Sequence, residues 1–246
     1  MYKKKKIIAV IPARLGSKRL KKKNIINIDK NKCLLDFTYK ACKKSKFLDR
    51  FVLSTESKKI SSIGKKIGFE VPFLRPKKFS QDKVSSEIPV IHTVKNLNES
   101  YDFIVLLQPT SPLRTGKDID SAIKKIIDLK YQSLISISKS EKKKKFLVDL
   151  NNDNTIEYQS LIKLKKKVKK NNLLISINKN TKIRFKKKKN KYYFLNGSIF
   201  IAKNTFLLKN KTFISKKTGY HLIPENRSID IDTNIDLKKF KRFLKK

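Results

Sequence analysis

The chain has no tryptophan and only one methionine, two cysteines, six glycines and seven prolines in 246 residues. Two cysteines exclude a disulfide-stapled scaffold, and Cys33 and Cys42 have no His or further Cys at zinc-site spacing. Long apolar runs are missing too: none approaches the ~20 residues of a membrane span, so no membrane partner is expected. The apolar stretch after Lys3–Lys6 stops at Pro12, too short for a secretory leader core, and no small-residue cleavage site follows. These absences predict a reducing, cytoplasmic setting. Acidic residues are scarce as well, 20 Asp and Glu against 62 Lys and Arg, for a net charge of +42.

Such an excess usually points to nucleic acid or an anionic membrane. Here the lysines are spread along the whole chain beside abundant Asn and Ile, the residues that AT-rich codons favour. Only 8 of the 62 basic residues are Arg. Nucleic-acid readers favour Arg for its planar fork, so the excess reads first as solvated surface and no nucleic-acid partner is expected. The scarcity of Arg also makes each one informative: Arg14, Arg19, Arg75 and Arg114 all fall in segments shaped like ligand loops.

The hydrophobic pattern alternates strand with helix. Strands are predicted at Lys5–Ile11, Phe51–Ser54, Val71–Leu74, Phe103–Leu107, Leu134–Ser138 and Gly197–Ala202. Helices are predicted over Leu34–Lys44, Lys58–Ile67 with a stop at Gly68, Ser85 or Ser86 to about Leu97, Asp118–Leu129, and a basic one ending at Lys246. This alternation implies an α/β fold with a doubly wound, mostly parallel sheet. Residues 1–246 read as one domain, with 141–191, rich in Lys and Asn, as an inserted lobe or arm. Doubly wound sheets bind ligands at the carboxyl ends of their strands, which singles out the loops opening at Ala13 and at Gln108.

Three segments carry chemistry. Ile11–Asn24 (IPARLGSKRLKKKN) offers a turn at Gly16, the Ser17 hydroxyl and the cations Arg14 and Lys23 directly after a buried strand. That suits a polyphosphate, although neither the Walker loop nor the dinucleotide fingerprint is present; a lysine-rich surface loop is the competing reading. Leu106–Arg114 (LLQPTSPLR) is stiffened by two prolines and presents Gln108, Thr110 and Ser111, neutral groups suited to a hydroxylated ligand. In Ser228–Thr233 (SIDIDT), Asp230 and Asp232 stand two apart, on one side of an extended chain. Such a pair beside a phosphate loop suggests Mg²⁺, which takes one or two carboxylates and completes its shell from phosphate and water; a surface pair balancing lysines is the plainer alternative. His92 and His221 are expected to be structural or solvated.

These motifs, in this order, resemble the acylneuraminate cytidylyltransferase family, the CMP-sialic acid synthetases and their bacterial relatives for legionaminic and pseudaminic acids. The likeness rests on IPAR-x-GSK…KN at 11–24, RP with Asp82 and Ser85-Ser86, LLQPTSPLR at 106–114, Asn196-Gly197-Ser198, and SIDID with Asp236. It implies a Rossmann-like nucleotide-diphosphosugar-transferase fold and the reaction of CTP with an acidic nine-carbon 2-keto sugar to give CMP-sugar and pyrophosphate. It further implies that Arg14, Ser17 and Lys23 hold the triphosphate with Asn24 near the nucleotide, and that Arg75 and Ser86 frame the cytidine pocket. Gln108 would orient the sugar with Asn196 alongside, and Asp230 and Asp232 would hold Mg²⁺. Arg14, Lys23, Gln108 and Asp232 are the catalytic expectations, and a homodimer built through an arm is implied by analogy. Arg19-Leu20-Lys21 stands where many members have Gly-Leu-Pro, Phe194 where Arg is common, and the dimer-arm motif is not recognisable in Thr181–Tyr193. Those departures fall toward the sugar, so they bear on which acid is used. The alternatives are transfer to eight-carbon 3-deoxy-octulosonate, or a non-catalytic basic protein that binds RNA or another polyanion.

Overall fold

The structure, a computed structural model, describes residues 1–17, 19–140, 147–150, 155–158, 192–215 and 217–245. Strands β1 (Ile7–Pro12), β2 (Arg50–Ser54), β3 (Phe103–Leu106), β4 (Ser133–Ser140), β5 (Leu147–Leu150), β6 (Thr155–Tyr158), β7 (Tyr192–Lys203) and β8 (Thr218–Leu222) form one sheet. Its order is β2-β1-β3-β7-β4-β8-β6-β5. The helices are α1 (Leu34–Lys43), α2 (Lys58–Ile67), α3 (Glu87–Lys95), α4 (Gly116–Asp128), α5 (Asn204–Asn210) and α6 (Asn234–Leu244).

The apolar run of β1 exists because helices cover both faces of the sheet. Ile7, Ala9 and Ile11 face the cluster supplied by α1, α2 and α4, while Ile8 and Val10 face Val90 and Val94 of α3 and Leu207 of α5. Helix α2 starts on Ser57, whose side chain accepts from the Ile60 amide, and ends on Gly68 in the left-handed region (φ 112°). Helix α6 closes the chain back onto its beginning: Leu237 and Phe240 pack with Leu20, Ile28, Leu34 and Ile231.

The α/β doubly wound layout is present, but the expected mostly parallel sheet is mixed. Strands β2, β1 and β3 are parallel, as are β4 and β8, whereas β7 runs antiparallel to both β3 and β4. The cause is β7 itself, which returns from the inserted region and fills the centre of the sheet in the opposite sense. It is also longer than expected, reaching back to Tyr192. Val71–Leu74 is not a strand; only Glu70 and Leu74 make single bridges, to Val52 and Thr55, because Pro72 between them has no N–H to donate. Helix α3 begins on Ser86, but Ser86 itself is helical (φ −64°, ψ −19°) and its hydroxyl caps nothing. Helix α5 and strand β8 were not expected. Most of the proposed 141–191 lobe lies outside the described residues; β5 and β6, within it, pair antiparallel and join the sheet through β7 and β8.

Candidate active site

All three motif segments meet at one end of the strands. β1 and β3 are parallel, so the loops after Pro12 and Leu106 leave from the same end. β8 is parallel to β4, which is antiparallel to β7, so the segment after Leu222 leaves there as well. Antiparallel β7 brings Asn196 and Gly197 to that end from the other direction, since Phe200 already faces Leu106.

The basic loop is held from beneath. Its Ala13 amide donates to Ser54 O (3.0 Å) and its Leu15 amide to Glu56 Oε1 (2.7 Å). Asn24 is buried and donates to Arg14 O (3.0 Å), so it fixes the loop's backbone. Arg14 reaches across to Asp82 (2.6 Å) and the carbonyl of Ser80 (3.3 Å). Between them opens a cleft of ≈ 620 Å³ lined by Arg14, Leu15, Gly16, Ser17, Lys21, Lys22, Ser80, Gln81 and Asp82. Arg75 frames this cleft from behind without lining it. It is 4% exposed, and its guanidinium donates to Ser80 Oγ (2.9 Å), Ser54 O (3.1 Å) and Glu56 (3.3 Å). Burial lowers its pKa, and the Glu56 carboxylate works against that. Glu56 is a residue the sequence reading missed; nothing in the local pattern marks an acid that serves a loop 41 residues earlier.

The second loop presents Gln108. Its Nε2 donates to Ser86 Oγ (3.2 Å), the hydroxyl that α3 leaves uncapped. Gly197, opposite, is in the left-handed region (φ +72°), and a Cβ there would stand 3.1 Å from Gln108 Oε1. β7 bulges at this point: Ile135 pairs with Phe200 but Ile137 with Leu195, leaving Ser136 opposite residues 196–199. The Ser136 hydroxyl replaces the missing ladder bonds, donating to Asn196 Oδ1 (2.5 Å) and accepting from the Ile199 amide (2.8 Å). Asn196 Nδ2 donates to Ser138 Oγ (2.8 Å). Asn196 is thus spent inside the protein, 4% exposed, and shapes the bulge instead of lining the site. Arg114, 3% exposed, ties the same parts together by donating to Gln108 O (3.2 Å) and Ser198 O (2.7 Å). Burial lowers its pKa to about 10, and the nearby Asp118 charge offsets only part of that.

The carboxylate segment joins both loops. The Ile231 amide donates to Thr110 O (2.8 Å), while Asp232 takes Lys23 Nζ on one oxygen (2.6 Å) and Arg19 on the other (2.7 Å). Asp230 is exposed by surface area yet surrounded by protein mass; desolvation raises its pKa, the Thr110 hydrogen bond lowers it, and the charge of Asp232 raises it again. Two carboxylates that repel each other beside a basic loop suit a divalent cation. Among the described residues no group of three or more His, Cys, Asp or Glu could hold a metal alone, so a bound Mg²⁺ needs phosphate oxygens and water to complete its shell. Behind this segment, Asp118 accepts both Arg227 nitrogens and Thr115. Burial would raise the Asp118 pKa, but those charge-assisted bonds hold it well below the usual carboxylate range. His221 Nε2, at 3.9 Å, is too distant to count as one of them.

A basic loop, a neutral hydrogen-bonding loop and a carboxylate pair stand together at one end of an α/β sheet, an arrangement suited to a phosphate-bearing ligand. The chain belongs to the cytidylyltransferase family, whose model matches residues 8–246. It is 34% identical over 239 residues to the CMP-N,N'-diacetyllegionaminic acid synthase of Legionella pneumophila, covering 94% of this chain and 93% of that one. It is 30% identical to the N-acylneuraminate cytidylyltransferase of Escherichia coli over 95% of its own length and 51% of the relative's, so the chain spans about half of that protein. The pseudaminic acid cytidylyltransferase of Campylobacter jejuni is 27% identical, with 95% and 94% covered. Among solved structures, CMP:2-keto-3-deoxy-manno-octonic acid synthetase complexed with CTP superposes with a TM-score of 0.73 over 98% of both chains. At 13% identity that likeness shows the fold.

Proposed function

We propose that the protein transfers the cytidylyl group of CTP to an acidic nine-carbon sugar of the sialic, legionaminic or pseudaminic type, with Mg²⁺ as its metal. The observation that carries the reading is the convergence of Lys23 and Asp232, 209 residues apart, beside the Thr110 contact: phosphate loop, sugar loop and carboxylates form one site. The names of the relatives supply the sugar class. The anomeric hydroxyl oxygen forms a bond to the α-phosphorus, the bond from that phosphorus to the bridging oxygen breaks, and pyrophosphate leaves while the hydroxyl proton passes to water. Catalysis of this kind is chiefly positioning and charge neutralisation.

Arg14 and Ser17 bind the triphosphate from the open cleft, and Lys23, held by Asp232, joins them from the same loop. Asp230 and Asp232 would hold Mg²⁺, which would neutralise charge on the phosphates. Gln108, oriented by Ser86 and by the close approach at Gly197, holds the sugar's attacking end. The high positive charge raises the local concentration of two anionic substrates. The proposal includes a homodimer, checked by light scattering, and a reducing cytoplasmic setting, which fits the free, buried Cys33 and Cys42. No helix among the described residues is long and apolar enough to cross a membrane.

The test is pyrophosphate release with CTP and Mg²⁺ across sialic, legionaminic, pseudaminic and 3-deoxy-octulosonic acids. Release with a nine-carbon acid is expected. Release with the octulosonate alone overturns the sugar class. Silence from all four, with no rise in melting temperature on adding CTP and tight salt-sensitive RNA binding, overturns the enzyme reading.

A further inference from the structure

We infer that Asp118 and Arg227 form a positioning pair that sets the Asp230–Asp232 segment for its metal. Resting on the metal assignment above, this adds two residues that no motif marks. Arg227 ends the short 3-10 turn Glu225–Arg227, three residues before Asp230. Its guanidinium grips both oxygens of Asp118, Nη2 at 3.0 Å and Nη1 closer still, from 109 residues away in sequence. Asp118 is itself immobilised: it lies in the first turn of α4, is 7% exposed, and accepts from the Thr115 amide (2.9 Å) and hydroxyl (2.7 Å).

The segment it steadies needs an anchor. Residues 228–232 belong to no strand and no helix, so no ladder fixes their register. The middle and far end are pinned by the Ile231 amide on Thr110 O, the buried Ile231 side chain, the Thr110 bond to Asp230, the Lys23 and Arg19 pairs on Asp232, and the capping box of Thr233 and Asp236 that starts α6. At the near end, the Ser228 amide and hydroxyl donate to Glu225 O, which fixes the segment to the Glu225–Arg227 turn; Ser140 ties that turn to β4, and the Arg227 fork ties it to α4. A paired arginine and carboxylate with little exposure is a weak source of net stability. It is a strong source of direction, because two parallel N–H···O bonds fix both distance and angle. Asp118 already completes its own helix cap with Thr115, so the fork serves the segment, not the helix.

The experiment titrates Mn²⁺ into the intact chain with CTP and no sugar, reading bound metal by electron paramagnetic resonance. In Arg227→Met the Mn²⁺ concentration for half-saturation rises about tenfold, the lower end of what partners behind metal ligands contribute. Arg227→Lys, which keeps the charge but not the fork, gives a smaller rise in the same direction. A role in stability alone would lower the melting temperature and leave the titration unmoved. Asp232→Asn is the control. If it loses Mn²⁺ while Arg227→Met binds as wild type, the positioning inference is overturned and the metal assignment stands. If Asp232→Asn itself binds as wild type, the metal assignment falls and the inference with it. Should Arg227→Met not fold, Arg227→Lys decides: a several-fold rise supports the pair and an unchanged titration overturns it.

Discussion

Strands β1 and β3 bury only aliphatic and aromatic side chains, apart from Pro12 at the end of β1, whereas further along the same sheet β4, β7 and β8 bury Ser133, Ser136, Ser138, Ser140, Asn196, Ser198 and Thr218. The two regions hold the site by different physics. Apolar burial is non-directional: it fixes where the β1 and β3 ends lie and leaves the loops beyond them to be tied by Glu56, Asn24 and Arg14. The polar region holds an irregular backbone, the β7 bulge with Gly197 at positive φ, and irregular backbone needs directed partners for groups the ladder no longer serves. Ser136 is that partner, and its hydrogen bonds place Gly197 against Gln108.

The contrast can be broken by mutation. On the apolar side Ile8→Ala, at a position with no exposure, should cost about 2–5 kcal/mol. Denaturant unfolding measures it, and the KM values for CTP and sugar should stay as in the wild type; a change in either would mean that the apolar packing also tunes the loops. Next comes Asn196→Leu, which leaves the Ser136 hydroxyl without its acceptor and the Ser198 amide unpaired. Each stranded group costs about 1–3 kcal/mol, and here the sugar KM should rise while the CTP KM holds, because the bulge faces Gln108. Equal changes in both would remove the distinction between the regions. The smallest effect concerns two thiols, Cys42 in α1 and Cys33 at its N-cap. Burial pushes Cys42 up to about 12 and Cys33 up to about 11, so both are neutral at pH 8 and should resist iodoacetamide until the chain is unfolded. Rapid labelling of the native protein would show that the apolar side opens.

Legibility followed the same division. Continuous apolar runs at 7–11 and 103–106 can only be strands covered on both faces, so their place and their ligand-bearing ends were readable. The alternating SLISISKS of β4 suggests a strand with one wet face, yet nearly all of it is buried, because hydroxyls satisfied by distant partners can enter a core that their composition does not advertise. Asn196 and Arg75 were readable as important, but their partners were not: Asn196 bonds Ser136 and Ser138 across the sheet and the Ser198 amide beside it, and Arg75 frames the cleft by holding Ser54, Glu56 and Ser80.

The sequence alone determined the α/β alternation, the three motif segments and the family, because hydrophobic period, proline and glycine placement, and closely spaced functional groups are local properties. The antiparallel course of β7, the bulge at Gly197, the Glu56 support of the loop and the Asp118–Arg227 fork were decided only in three dimensions. Each depends on partners far apart in the chain, and a hydrogen bond leaves no trace in the spacing of the residues that make it.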